Sequence, residues 1–206
     1  MIGIYGGTFN PVHYGHLRTA VEVQEIFALD ELRLLPCAQP AHRAMPEVSA
    51  VQRLQMLQLA VQDVPSLRID TRELERSGVS YMVDTLAAIR AEILQVPVFL
   101  FMGMDAFNGL TSWHKWQELF TYAHIVVMTR PNFTAEIHSD FIREKQVNDR
   151  RSLKSCVSGK IYFQPVTQMD ISATMIRHIF ADHKKPDFLL PESVINYIQM
   201  HHLYGA

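Results

Sequence analysis

Gly6-Gly7-Thr8-Phe9-Asn10-Pro11-Val12-His13-Tyr14-Gly15-His16 joins an apolar run, Met1 to Tyr5, to an amphipathic segment that starts near Leu17. That order reads as a strand, a tight loop and a helix start. Paired glycines let the backbone turn sharply and let a ligand come close to it. His13 and His16 lie three residues apart and flank the start of the helix. A helix N-terminus offers unpaired N–H groups and a partial positive charge. Glycines, imidazoles and a helix start together suit the phosphates of a nucleotide. Two other readings stay open for the stretch alone. Histidines at this spacing also bind metals, although no Cys, Asp or Glu lies close by to complete a ligand set. A strand-turn-helix corner with two partly exposed histidines is the plain structural alternative.

Beyond this stretch, Leu17, Ala20, Val21, Gln24, Phe27 and Ala28 recur at helical spacing, and Glu31 to Pro36 reads as a second strand. Pro36, Pro40 and Pro46 make a loop of the segment between them. Ser49-Ala50-Val51-Gln52 fits a capping box, and the helix it opens is expected to turn Leu54, Leu57, Ala60 and Val61 to a core. Leu67 to Asp70 is a short strand, and Thr71 to Gly78 reads as irregular. Ser80 is expected to cap a helix through about Leu94, with Met82, Leu86, Ile89 and Ile93 on one face. Val98 to Met102 is a wholly apolar strand ended by Gly103-Met104-Asp105, followed by a helical stretch through Trp113 and Trp116 to Phe120. Ile125 to Met128 is the next strand, ended by Arg130-Pro131. Phe133, Ile137, Phe141 and Ile142 hint at a helix, and Arg143 to Lys154 reads as a solvated face or loop. Ile161 to Gln164 is the last strand; Ser172 to Phe180 and Pro191 to His202 are closing helices, the second with Pro in its first turn.

Strands and helices alternate throughout, which predicts an α/β fold: a mostly parallel sheet, doubly wound, with helices on both faces. Ligands in such folds sit beyond the carboxyl ends of the strands, where strand order reverses. Gly6-Gly7, Gly103 to Asp105 and Arg130 all fall at strand ends and are expected to meet there. The 206 residues suit one domain with a full core. Apolar content of 48% with 19% charged residues excludes a disordered chain. A net charge of −2 gives no global positive field for nucleic acid, so any anion site is local. Cys37 and Cys156 read as reduced thiols of a cytoplasmic protein. Neither a signal peptide nor a run of membrane-spanning length is expected, hence no membrane partner.

The opening stretch resembles the Gly-Gly-Thr-Phe-Asp-Pro-x-His-x-Gly-His signature of the nucleotidyltransferase superfamily. Ile171-Ser172-Ala173-Thr174-Met175-Ile176-Arg177 is similar to that superfamily's Ile-Ser-Ser/Ala-Thr-x-Ile-Arg. Two ordered motifs at opposite ends of one chain are far more specific than either alone. Asn10 stands where Asp is usual, and it keeps the turn and an acceptor oxygen. The middle of the chain narrows the family. Ser80-Tyr81-Met82-Val83-Asp84-Thr85-Leu86 resembles the Ser-Tyr-Thr-x-Asp-Thr-Leu segment of bacterial nicotinate-mononucleotide adenylyltransferases. Phe101-Met102-Gly103-Met104-Asp105, Thr111-Ser112-Trp113-His114-Lys115-Trp116, Pro40-Ala41-His42-Arg43 and Pro191 to Ile198 resemble further segments of the same family. Met82 replaces its usual Thr, and Cys37-Ala38 stands where many members carry Asn.

The resemblance implies a Rossmann-like nucleotidyltransferase fold over residues 1–206, with the closing helices 172–202 packed on it. It implies adenylyl transfer from ATP to nicotinate mononucleotide, giving the dinucleotide and pyrophosphate with no covalent intermediate. His16 is expected at the α-phosphate, and His13 beside it. Ser172, Thr174 and Arg177 are expected on the β- and γ-phosphates, and Gly6, Gly7, Thr8, Phe9, Gly103 and Ile171 in the rest of the ATP site. Asp105 suits ribose hydroxyls or a helix cap. Trp113 suits the pyridine ring or the core. Ser80, Tyr81, Met82, Thr85, His114, Arg130, His42 and Arg43 are expected around the mononucleotide. Mg2+ is expected on the phosphates and water, with no dedicated protein cage. The alternatives are another acceptor (nicotinamide mononucleotide or phosphopantetheine) or a non-catalytic nucleotide sensor. The segment 132–158 is open between an interface for a homo-oligomer, a lid and neither.

Overall fold

The computed structural model describes residues 1–39, 46–130, 137, 139–167 and 169–206. β1 (Ile2–Gly7) leads through the glycine loop into α1 (Tyr14–Phe27), then β2 (Glu31–Pro36), α2 (Ala50–Val61) and β3 (Leu67–Ile69). Short α3 (Arg72–Glu75) and α4 (Met82–Glu92) carry the chain back to β4 (Val98–Gly103). Then come α5 (Met104–Asn108), α6 (Leu119–Tyr122), β5 (His124–Thr129), α7 (Asp140–Lys145) and β6 (Ile161–Pro165). α8 (Ala173–Ala181) and α9 (Glu192–Met200) close the chain. The strands form one sheet in the order β3-β2-β1-β4-β5-β6, and every neighbouring pair is parallel. Strand order therefore reverses between β1 and β4, and a crevice opens at their carboxyl ends. Gly7, Gly103 and Thr129 all end their strands at this one edge.

Side-chain alternation divides the core between the two faces. Leu32, Leu34, Phe99, Phe101, Val126 and Met128 pack with α1, α2, α8 and α9. Ile4, Leu35, Leu100, Met102, Ile125 and Val127 pack with α4, α5, α6 and α7 on the other face. Burial on both faces is why Val98–Met102 and Ile125–Met128 are apolar without interruption. Each fully buried side chain of this size contributes about 2 kcal/mol of transfer free energy.

Ser49 forms the expected capping box with Gln52, and Ser172 Oγ accepts from Met175 N–H at the head of α8. Other expectations change. α1 starts at Tyr14, because the His13 carbonyl already accepts from His16 and Leu17 N–H. Ser80 does not cap α4; Tyr81 holds that position without a side-chain bond, and Ser80 Oγ accepts from Ala38 N–H at 3.2 Å. The Thr71–Gly78 stretch contains α3, whose buried Glu73 accepts a bond from Thr85 Oγ1 at 2.7 Å. Residues 104–122 are not one helix: Lys115 takes φ 50°, and two 3-10 turns separate α5 from α6. Pro191 is the N-cap of α9 rather than a first-turn residue. The face that α2 buries is also shifted: Arg53 and Met56 join Leu57 and Val61 inside, while Leu54 is only partly covered.

Candidate active site

A cleft of about 150 Å3 lies at the switch point between β1 and β4. His13, Gly15 and His16 come to it from the head of α1, Gly103 from the end of β4 and Ile171 from the approach to α8. Tyr5, Thr19, Met128 and Met169 complete its wall.

The glycine loop is shaped by close packing. Phe9 is buried at φ 47°, a conformation that a bulky residue rarely adopts. A Cβ on Gly7 would lie 2.9 Å from the Phe9 ring, so only glycine lets that ring fold under the loop. A Cβ on Gly15 would likewise approach the His13 ring to 3.0 Å. The His13 and His16 rings stack, with centroids 3.7 Å apart and planes at 33°. The Phe9 ring packs steeply inclined to His16, at 69° with centroids 5.2 Å apart.

Burial pushes the His13 pKa down to about 4 and keeps the imidazole neutral at pH 7. Its buried Nδ1 meets no hydrogen-bonding group among the described residues. A neutral imidazole still has one N–H to donate to an anion.

The two ends of the chain meet at this loop. Arg177 Nη1 donates to the Asn10 carbonyl at 2.8 Å, and its Nη2 donates to Thr174 Oγ1 at 3.2 Å. The Tyr204 hydroxyl donates to Asn10 Oδ1 at 2.5 Å. The side-chain acceptor at position 10 therefore has a partner, one that an uncharged Asn satisfies without burying a carboxylate. Ser172 and Thr174 stay exposed at the head of α8.

On the other side of β1, the head of α4 lies against the sheet edge. A Cβ on Gly6 would lie 2.9 Å from Met82 Cε, which shows how near Met82 is to the end of β1. Tyr81 stacks on His114, with centroids 4.4 Å apart. Trp113 is half-buried against the core face that carries α4. Gly103 has open space where a Cβ would be, and Asp105 is exposed in the first turn of α5. Arg130 is exposed just past β5. Thr8 Oγ1 accepts a long bond, 3.8 Å, from Cys37 Sγ, so the loop after β2 touches the glycine loop. Thr85 is a correction: it is fully buried, its hydroxyl donates to Glu73 Oε1, and it has no face for a substrate. His42 and Arg43 lie outside the described residues.

A family profile described as Cytidylyltransferase-like matches residues 4–179. A Methylococcus capsulatus protein named "Probable nicotinate-nucleotide adenylyltransferase" is 48% identical over 209 residues, covering 100% of both chains. A Pseudomonas paraeruginosa protein of the same name is 47% identical, covering 100% of this chain and 97% of its own. The chain belongs to the cytidylyltransferase-like family, among its nicotinate-nucleotide adenylyltransferases.

The fold of this family member matches a solved nicotinic acid mononucleotide adenylyltransferase of Plasmodium falciparum complexed with NaAD. The TM-score is 0.74 at 18% identity, covering 98% of this chain and 96% of that one. Several residues in and near the cleft escaped sequence reasoning. Met128 and Met169 carry no chemical signal, and Tyr5 and Thr19 look like ordinary strand and helix positions. Arg53 was readable in principle, because the apolar spacing Met56, Leu57, Val61 puts position 53 on the inner face of α2.

Proposed function

We propose that the protein transfers the adenylyl group of ATP to nicotinate mononucleotide, forming nicotinate adenine dinucleotide and releasing pyrophosphate in NAD biosynthesis. The observation that carries this reading is the contact of Arg177 with Asn10 beside the stacked His13 and His16. It joins both motifs into one anion-binding cleft at the strand-order switch point. The names of the full-length relatives support the acceptor.

A phosphate oxygen of the mononucleotide attacks the α-phosphorus of ATP. The new P–O bond forms as the bond from the α-phosphorus to the bridging oxygen breaks, and pyrophosphate leaves with that electron pair. The attacking monoester is largely dianionic near neutral pH, so no strong general base is needed. The protein's work is to position the reactants and to stabilise the charge that grows on the α-phosphate. His16 is given that charge, with the neutral His13 donating beside it. Ser172, Thr174 and Arg177 hold the β- and γ-phosphates, with Arg177 as a fixed cation. Gly6, Gly7, Thr8, Phe9, Gly103 and Ile171 shape the ATP site, and Asp105 accepts from ribose hydroxyls. Ser80 N–H and Tyr81 N–H are taken by the Gln39 and Val79 carbonyls, so the N–H groups of the first turn of α4, from Met82 onward, receive the nicotinate carboxylate. Trp113 and His114 contact the pyridine ring, and Arg130 with His42 and Arg43 binds the acceptor's phosphate.

Mg2+ fits as a passenger on the triphosphate. Two imidazoles line the cleft and the Arg177 guanidinium is held at the adjoining Asn10; these suit phosphate oxygens, whereas a hard dication takes oxygen ligands from phosphate and water. When bound, it neutralises phosphate charge. Among the described residues no helix is long and apolar enough to cross a membrane, and we read the protein as a cytoplasmic enzyme of one domain.

Purified protein supplied with ATP, Mg2+ and nicotinate mononucleotide should release pyrophosphate and form the deamido dinucleotide. Absence of product sinks the proposal, and faster turnover of nicotinamide mononucleotide reassigns the acceptor.

A further inference from the structure

Arg53 on α2 is 1% exposed and is a charged group among the largest fully buried side chains. Burying a cation is costly unless its donors are met. Its two terminal nitrogens are met by backbone carbonyls of two loops, while its buried Nε meets no acceptor among the described residues. Nη1 donates to the Thr8 carbonyl at 2.7 Å. Nη2 donates to the Cys37 carbonyl at 2.9 Å and the Ala38 carbonyl at 3.2 Å. Thr8 belongs to the glycine loop after β1, while Cys37 and Ala38 follow β2. One guanidinium therefore joins the two loops from beneath.

The consequence follows from peptide geometry. In a planar trans peptide the C=O and the following N–H point in opposite directions. Drawing the Thr8, Cys37 and Ala38 carbonyls inward turns the N–H groups of Phe9, Ala38 and Gln39 away from Arg53. The Ala38 N–H is taken by Ser80 Oγ at 3.2 Å, which ties the second loop to the head of α4. Ser80 N–H in turn donates to the Gln39 carbonyl at 3.0 Å. The N–H groups of Phe9 and Gln39 meet no acceptor among the described residues. Outward N–H groups on adjacent loops are anion donors.

We propose that Arg53 is a positioning residue for the transfer. It holds three carbonyls inward so that the Phe9 and Gln39 N–H groups face the phosphates of ATP and of the acceptor in one fixed register. This inference rests on the proposed adenylyl transfer and adds the device that aligns its two substrates. A lysine keeps the charge but not the planar fork that reaches both loops at once. Methionine keeps much of the volume and none of the donors.

The test compares Arg53→Lys and Arg53→Met with the natural protein, at a temperature where each is folded by circular dichroism. Charged hydrogen bonds of this kind set an expected loss of roughly tenfold to a hundredfold in kcat/KM for both substrates. Binding of an ATP analogue with an α–β methylene bridge, measured by calorimetry, should weaken about tenfold or more in both variants. A lowered Tm with both kcat/KM values unchanged leaves Arg53 a purely structural group and overturns the proposal. A loss confined to one substrate also overturns it, since the two loops are then not coupled. If Met prevents folding, the Lys variant decides alone. If the natural protein turns over no mononucleotide, the adenylyl-transfer reading fails by itself, and the analogue-binding comparison still decides Arg53.

Discussion

His16 packs against the His13 ring at 3.7 Å and the Phe9 ring at 5.2 Å, so its imidazole is oriented before any ligand arrives. A preoriented donor at the point where charge develops loses no reorganisation energy during reaction. His16→Ala should therefore cost about a hundredfold or more in kcat with the fold retained. An unchanged rate in steady-state assays removes His16 from the chemistry. His13 makes a separate prediction about pH. Its folded pKa, lowered by burial from 6.5 to about 4, lies below the unfolded value. Between those two values the unfolded chain binds the proton and the folded chain does not, so stability falls as pH drops through this window. From pH 7 to pH 5 the loss due to His13 should be about 2 kcal/mol in the ligand-free protein. Denaturant unfolding of His13→Gln should show an acid loss smaller by that amount. The difference between the two proteins cancels His124, another buried histidine that burial pushes down. Equal losses would mean that His13 is not held neutral.

At the scale of elements, the ends of helices decide how the loops lie. α2 begins with a reciprocal box: Gln52 N–H donates to Ser49 Oγ at 3.2 Å, and Ser49 N–H donates to Gln52 Oε1 at 3.3 Å. α2 also carries Arg53, so its start sets the height of the guanidinium under both loops. Ser49→Ala should lower stability by about 1 kcal/mol in urea unfolding. A change near zero would show that tertiary packing, not the cap, holds the end of α2. The spacing of apolar residues made α1, α2, β4 and β5 legible, because each buries a continuous stripe or a whole run. It failed at residues 104–122, where the φ of Lys115 and two 3-10 turns replace a helix. Periodicity registers which side chains are apolar and is blind to a single residue with positive φ. It failed at Ser80 for a different reason. Serine before a helix reads as a cap, and only the approach of Ala38 shows that its oxygen is spent across the loops.

For the whole molecule, the order β3-β2-β1-β4-β5-β6 puts β2, β1, β4 and β5 inside and leaves β3, three residues long, at an edge. β5 is buried along its whole length and β4 along all but its last residue. Amide hydrogen exchange should be slowest in β1, β4 and β5, near the global unfolding free energy, and faster in β3. Exchange in β3 as slow as in β5 would refute a sheet with this order.

The primary structure alone was enough for the alternating α/β pattern, for the strand-loop-helix corner at Gly6 to His16, and, through resemblance, for the family and its acceptor. These are local or motif-level properties, carried by residue type at fixed spacing. Tertiary structure decided the rest. It brought Arg177 and Tyr204 to Asn10 across most of the chain length, made Thr85 a buried partner of Glu73, and put Arg53 under two loops at once. Those outcomes depend on where separate strands end relative to one another. Strand order fixes that, and no spacing along the chain encodes it.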